Sequence, residues 1–345
     1  METQLTDSKS PIFIGEISAN HLGDFNRAKI LVQAVIDAGV TAVKFQTYTA
    51  DTMTINSDLP GFKISDDHKL WGGRKLHDLY EEAHTPWQWH AELFEICRIN
   101  NVIPFSTPFD LTAVDFLESL NCPMYKISSM ETGDHALIRR VAETGKPVII
   151  STGATLWNEI EELVSVFKKT GNTDLTLLLC TSSYPANPID VHLKRMQLLR
   201  DQFDTKVGLS DHTLGIGVSI AAIALGASVI EKHITLRRAD GGADAAFSLE
   251  PEELRNLIIE GNAAFAALGK TTWNVQASEK ESRRIRRSLY IVRDVKAGDL
   301  VTPQNVRAIR PGGGSIPKFI DSYMGKYFIA DAVAGTPMES SLLRN

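Results

Sequence analysis

Cysteine is scarce. The 345 residues hold 3, at Cys97, Cys122 and Cys180, and none stands in a CxxC pair. That argues against a disulfide frame and for buried thiols in a reducing compartment. Long apolar runs are missing as well. None reaches the ~18 residues a membrane helix needs, so no membrane span is expected. The opening METQLTDSKS lacks the apolar core of a signal peptide and reads as a frayed tail on a cytoplasmic protein. Positive charge is not in excess, with 36 Lys and Arg against 42 Asp and Glu and a net charge of −6. This argues against bulk nucleic-acid binding. No GxGxxG follows an apolar run, so the usual mark of a dinucleotide-binding fold is absent.

What is present is ordinary globular composition, 43% hydrophobic and 23% charged. The length suits one large domain with a small one, or one large barrel. Charge divides along the chain. From Lys270 to the end there are 13 Lys and Arg against 7 Asp and Glu, a balance of +6, leaving −12 on the first 269 residues. The step falls in KTTWNVQASEKESRRIRRSLYIV, a polar stretch without a long apolar period before Ser288. The expected organisation is a domain over residues 1–270, a linker over 271–287 and a basic module over 288–345. Asp299, Pro303, Pro311, the triplet Gly312-Gly313-Gly314, Pro317 and Gly335 punctuate short apolar runs in that module, which predicts short strands and turns.

Eight apolar, β-rich runs recur in the first 270 residues, at 12–17, 42–46, 103–107, 124–127, 148–151, 176–180, 207–210 and 229–233. They lack polar alternation, as parallel strands covered on both faces do. Helical patterns lie between and after them, at 26–38, 87–101, 111–120, 136–144, 156–169, 191–201, 215–225 and 252–268. Strict alternation of eight strands and eight helices over about 250 residues predicts a (β/α)8 TIM barrel. A doubly wound sheet is the alternative. The stretch 48–86 is too long for a plain loop and is expected to fold over the barrel mouth, with Trp71 as an apolar anchor.

Active sites of such barrels form at the carboxyl ends of the strands, and those ends are unusually polar here. Lys44 and Lys126 sit on otherwise apolar strands and need counter-anions. A structural pair with Glu16 or Glu131 would satisfy them, and so would an anionic ligand at the mouth. Ser129, Ser151, Ser182 and Ser210, at neighbouring strand ends, suit phosphate or carboxylate oxygens. His212 and His233 close consecutive strands, which bring neighbours within ~4.8 Å. With Glu16, Asp211 and Glu231 nearby they suit Mn2+ or a similar divalent ion, Mg2+ and Co2+ being alternatives. His21 fits either a core or a site role, and the remaining histidines read as structural or surface residues.

IGEISANHLGDFNRAKILVQAVIDAGVTAVKFQTY, STPFD, MYKISSMETGD, ISTGAT, CTSSYPA, GLSDHT and VIEKHITL resemble, in order, the motifs of the sialic acid synthase family. RRSLYIVRDVKAGDLVTPQNVRAIRPGGG resembles that family's C-terminal antifreeze-like (SAF) domain. These enzymes condense phosphoenolpyruvate with an amino sugar to give a nine-carbon 2-keto acid. LHDLYEEAHTPWQWHAELFEICR, SLNCPMYKISSMETGD and GGADAAFSLEPEEL look most like the pseudaminate branch, which uses 2,4-diacetamido-2,4,6-trideoxy-L-altrose. At 182 the chain has Ser where N-acetylneuraminate enzymes have Asn, which favours that branch.

Position by position, the resemblance implies divalent-metal ligands at His212 and His233. It implies phosphoenolpyruvate contacts at Lys44, Thr107, Lys126, Ser129, Ser151, Ser182 and Ser210. Acidic groups that position or activate water fall on Glu16 and Glu131, and sugar contacts on Gln46, Tyr184 and Asp244. The family also sends an arginine from the partner's C-terminal module into the site, and Arg310 matches it. A domain-swapped homodimer is therefore implied. Competing activities are an N-acetylneuraminate or legionaminate synthase, a Schiff-base aldolase using Lys126 or Lys232, and a non-catalytic carbohydrate- or ice-binding protein.

Overall fold

Strands that read as apolar throughout must be covered on both faces, and a closed barrel wrapped in helices does this. In the structure, a computed structural model, residues 10–67 and 70–345 are described. The tail expected at the start lies, before Ser10, outside them. The strands are β1 (Ile12–Glu16), β2 (Ala42–Thr47), β3 (Ile103–Pro108), β4 (Tyr125–Ile127), β5 (Val148–Ser151), β6 (Leu175–Cys180), β7 (Lys206–Ser210) and β8 (Val229–His233). They close in sequential order, each parallel to the next, with β8 returning to β1. The register sets Glu16 beside both Lys44 and His233, and Ser210 beside both Cys180 and Glu231. In-register residues of a parallel sheet share a face, so these side chains gather on the inside of the barrel.

The helices, in chain order, are α1 (Phe25–Ala38), α2 (Ala50–Met53), α3 (Leu76–Ala83), α4 (His90–Ile99), α5 (Leu111–Ser119), α6 (His135–Ala142), α7 (Trp157–Lys169), α8 (Arg195–Phe203), α9 (Gly217–Ala224) and α10 (Pro251–Leu268). All but α2 and α3 cover the barrel. Helix α1 starts where the Asp24 carboxylate accepts from the Asn26 and Arg27 amides, at 2.7 and 3.0 Å. It stops at Gly39, whose φ of 99° favours glycine. It buries Ala28, Leu31, Val32, Val35 and Ala38, the stripe its spacing predicts. Asp110 caps α5 in the same way, and Pro251 opens α10.

Two helical spans differ from expectation. The pattern at 191–201 becomes a helix only from Arg195, because His192 takes a φ of 51° and breaks the turn before it. The pattern at 87–101 starts as a 3-10 turn, Trp87–Trp89, before α4. The excursion at 48–86 carries α2, α3 and an antiparallel bridge between Lys63 and Lys75.

The chain divides into two compact units, Met1–Gly269 and Lys270–Asn345. The second holds α11 (Lys280–Arg284), α12 (Ile320–Tyr323) and two small antiparallel sheets. Strand β9 (Ser288–Ile291) pairs with β10 (Val306–Ile309), and β11 (Tyr327–Phe328) with β12 (Leu343–Arg344). Leu289, Ile291, Val306, Phe328 and Met338 form its core. Gly314 is required where it stands: a Cβ there would lie 2.2 Å from the Leu289 carbonyl oxygen. Among the described residues no helix is long and apolar enough to cross a membrane.

Candidate active site

At the carboxyl ends of the strands the barrel opens into a cavity of about 370 Å3. Alternation along each strand decides what enters it. On β2, Lys44 and Gln46 point in. On β8, Glu231 and His233 do, and Ser210 and His212 follow from β7. The intervening Asp211 and Lys232 point to the helix side. There they pair at 3.2 Å, and Asp211 also accepts from the Thr213 amide and the Ser219 hydroxyl. Asp211 is thus a structural counter-ion and not part of the histidine cluster, contrary to the expectation from its position. Lys232 is tied in the same pair and does not line the cavity, which removes it as a nucleophile there.

The floor is an alternating charge cluster. Lys44 Nζ lies 2.6 Å from Glu16 Oε2 and 3.6 Å from Glu231 Oε1, and donates to Thr107 Oγ1 at 3.2 Å. Lys126 Nζ lies 3.8 Å from the same Glu231 oxygen and donates to the Ile127 carbonyl at 3.2 Å. Lys44 therefore takes the structural pairing that its strand context allows, with Glu16. Lys126 is the less committed ammonium and faces the cavity. Burial opposes the charge on Lys44, yet Glu16 and Glu231 more than offset it and raise its pKa. Burial wins at Lys126 and lowers it. Glu231 is held below its ordinary value, because Lys126 and Lys44 outweigh the cost of burial. Burial pushes Glu16 up.

Around this floor stand Ser129, Ser151 and Ser210. The Ser210 hydroxyl donates to Glu231 Oε1 at 3.2 Å, and Ser129 Oγ accepts from the Gly153 amide at 2.9 Å. Ser182 lies against the same spot, since its hydroxyl would collide with a Cβ on Gly153. Five buried atoms of the cluster have no hydrogen-bond partner: Ser151 Oγ, Glu231 Oε2, His233 Nδ1 and both oxygens of Glu16, whose Oε2 is met only by the ion pair with Lys44. Polar atoms sealed from water and left unpaired are costly, which marks this face as built to receive a polar ligand.

The two carboxylates expected to act on water are placed differently. Glu131 lines the cavity and is hydrogen-bonded by the Ser128 hydroxyl, and burial raises its pKa. Glu16 is fully buried beneath Lys44. Tyr184, Phe247 and Asp244 form the opposite wall, with Trp71, Tyr48 and Tyr80 from the 48–86 excursion. The Trp71 indole donates to the Ala243 carbonyl at 3.2 Å, so it anchors that excursion over the mouth. Arg310 is exposed and belongs to the second unit. His21 is buried, accepts from the Gly23 amide and stacks edge-on against Trp89, a core role.

The histidine rings lie 5.3 Å apart. His212 Nδ1 donates to the Thr181 carbonyl at 3.0 Å, which leaves the lone pair on Nε2. His233 is kept neutral by burial and by the neighbouring positive charges, and its Nδ1 is 3.7 Å from Asp244 Oδ2. The resemblance found in the sequence implies a divalent metal at this pair. Among the described residues no three His, Cys, Asp or Glu side chains form a metal-holding group. Two imidazoles, one oriented by a carbonyl and one with an orphaned nitrogen, nevertheless suit a divalent ion that keeps open positions.

Sequence reasoning named Glu231 only as a carboxylate near the histidine pair and missed that it holds both lysines. Its spacing of two from His233 on one strand is the signal that identifies it. Cys180 was likewise passed over. It lies 3.9 Å from His212 Nδ1.

Fold and site together define a TIM-barrel enzyme with an anion-binding floor and a histidine pair at its rim. The NeuB family profile matches residues 31–272, and a SAF domain profile matches residues 286–343. The chain is 40% identical over 331 residues to the pseudaminic acid synthase of Helicobacter pylori, covering 96% of this chain and 97% of that one. It is 37% identical over 326 residues to the N,N'-diacetyllegionaminic acid synthase of Campylobacter jejuni, covering 92% and 96%. The crystal structure of an N-acetylneuraminic acid synthetase from Leptospira borgpetersenii, in complex with citrate, superposes with a TM-score of 0.70 at 33% identity, over 79% of this chain and 90% of that one. The chain belongs to the NeuB family, whose members are phosphoenolpyruvate-condensing transferases that form a carbon–carbon bond.

Proposed function

We propose that the protein is a pseudaminic acid synthase. It joins phosphoenolpyruvate to 2,4-diacetamido-2,4,6-trideoxy-L-altrose, adds water and releases phosphate by cleavage of the enol carbon–oxygen bond. The observation that carries this reading is the cavity floor: one loosely paired ammonium, Lys126, faces hydroxyls that include the unpartnered Ser151.

Phosphoenolpyruvate binds with its anionic groups on Lys126, Ser129, Ser151, Ser182 and Ser210. Lys44, fixed by Glu16, Glu231 and Thr107, adds positive potential beneath it. The sugar binds open-chain, with Gln46, Tyr184 and Asp244 holding it above the enol. C3 of the enol then bonds to the aldehyde carbon, and C2 becomes an oxocarbenium. Water adds at C2 and gives its proton to Glu131, whose raised pKa suits a base that later returns a proton to the departing phosphate. The bond between C2 and the oxygen that bridges to phosphorus then breaks, the C2 hydroxyl gives its proton through solvent to the oxygen that was the aldehyde's, and a 2-keto acid and inorganic phosphate are left. Glu16 serves as the anchor of Lys44. His212 and His233 hold the divalent ion, Mn2+ or, failing that, Mg2+ or Co2+. When bound, that ion supplies Lewis-acid polarisation of the sugar aldehyde.

The protein acts as a homodimer, with the SAF module of one subunit closing the barrel of its partner and Arg310 entering the partner's site. With phosphoenolpyruvate as substrate, it works in the cytoplasm. Mixing two impaired variants, Lys126→Met and Arg310→Ala, raises activity in heterodimers above that of either alone if Arg310 acts across subunits, and does not if it acts within one chain.

The deciding experiment offers the purified protein phosphoenolpyruvate with each candidate sugar and reads product mass. Pseudaminic acid is expected. A product only from N-acetylmannosamine or from the legionaminate precursor would move the assignment to those branches. The lowered Lys126 would also suit a Schiff-base aldolase. Borohydride trapping of a lysine adduct in the presence of substrate would establish that reading instead.

A further inference from the structure

Beside the main cavity lies a second chamber of about 330 Å3. The two share the walls Gln46, Tyr48, Trp71, Tyr80 and Asp244. Beyond that junction the described residues that line the chamber are apolar: Ala19, Ile64, Leu76, Leu79, Ala83 and Ala243. Most come from the 48–86 excursion. Ile64 is fixed by its amide bonding to the Arg74 carbonyl at 2.9 Å, and Leu76 and Leu79 project from α3. The excursion therefore does more than cover the mouth, because it builds an apolar annex onto the polar site.

We infer that this annex is the specificity pocket for the deoxygenated end of the sugar, receiving its C6 methyl and the methyl of its 4-acetamido group. The inference rests on the synthase reading above. The aldehyde carbon must meet the enol over the lysine floor, so C4 to C6 extend away from it toward the rim. At the junction Asp244 and Gln46 offer an acceptor and an amide for the polar part of an acetamido group. Beyond them no polar side chain among the described residues lines the chamber, so a methyl gains contact and a hydroxyl loses its water without a partner. Discrimination by one such group in an apolar pocket is worth about 10- to 200-fold.

The test compares kcat/KM for 2,4-diacetamido-2,4,6-trideoxy-L-altrose and for its analogue that keeps a hydroxyl at C6, in the native full-length chain and in two variants, Leu76→Gln and Ile64→Asn. Melting temperature is followed alongside. The native enzyme should prefer the 6-deoxy sugar by about 10- to 100-fold. Each variant should lose most of that preference while the KM for phosphoenolpyruvate stays unchanged. A native preference under about threefold would overturn the inference without any variant. So would folded variants that keep the full preference. The functional reading fails separately, if the native protein releases no phosphate with any nonulosonate precursor.

Discussion

Two buried ionic groups stand back to back across the wall of β7 and β8, and they are built on opposite plans. On the helix side, Asp211 and Lys232 are almost completely buried and fully engaged. Asp211 receives the Thr213 amide and hydroxyl and the Ser219 hydroxyl, and Lys232 donates to the Thr213 carbonyl. On the barrel side, Lys44, Lys126, Glu16 and Glu231 are just as buried, but Ser151, Glu231 and His233 keep unpartnered atoms. A closed network holds a fold together, whereas an open one stores unmet interactions for a ligand. Burial alone does not separate them, but hydrogen-bond satisfaction does.

The sharpest test of the contrast between open and sealed sites uses thiols. Burial pushes Cys97 and Cys122 up to about 12. Burial also opposes the thiolate of Cys180, but His212 more than offsets this and brings it to about 7. At pH 8 the thiolate fractions differ by roughly four orders of magnitude. Iodoacetamide should label Cys180 alone, at a rate that climbs through about pH 7 and levels above it, and phosphoenolpyruvate should protect it. Peptide mapping decides this, and equal labelling of all three would break the contrast.

Next in size is the histidine pair. His233→Ala and chelator treatment should each cut phosphate release by about a thousandfold or more, with melting temperature little changed for the variant. Full activity in a chelator would reject the metal assignment.

The lysines then give a crossover. Lys126→Met should lower kcat/KM for phosphoenolpyruvate by about 30- to 150-fold, the loss of a charge-assisted contact of roughly 2–3 kcal/mol, with stability nearly kept. Lys232→Met leaves Asp211 buried and unpaired. It should cost about 3–5 kcal/mol in urea unfolding while the folded fraction keeps its kcat/KM. If both variants lose activity equally, the inner and outer groups are not functionally distinct.

The smallest effect concerns a buried histidine in the core. His90 is lowered from 6.5 to about 4 by burial, its Nε2 2.9 Å from Thr47 Oγ1. The unfolded chain therefore takes up this proton first as pH falls. The stability His90 contributes is complete above about pH 6.5 and is lost toward about pH 4, some 2–3 kcal/mol. Urea midpoints at pH 7 and 4.5 should converge in His90→Asn relative to the native chain.

Much of this was legible in the chain. Eight unalternating apolar runs called for a covered parallel barrel, and Asp24, Gly39, Asp110 and Pro251 marked helix ends where the structure has them. Lys44 and Lys126 stood out because charge on an apolar strand demands a partner. Which partner they chose was not legible. Glu16 and Glu131 were equivalent candidates until closure set Glu16 beneath Lys44 and left Glu131 on the cavity. The break at His192 was hidden too, since a helical apolar period runs through it and only the backbone conformation reveals the turn.

Local pattern alone determined the strands, the helices, the basic C-terminal module and the types of residue at the strand ends, because propensity and periodicity act over a few neighbouring residues. Tertiary structure decided which of two adjacent charges, Asp211 or His212, Lys232 or His233, turns inward, and it brought the 48–86 excursion against the loop after β8 to form the apolar annex. Both depend on barrel closure, which sets side-chain direction and joins residues nearly two hundred positions apart, and no local interaction encodes that.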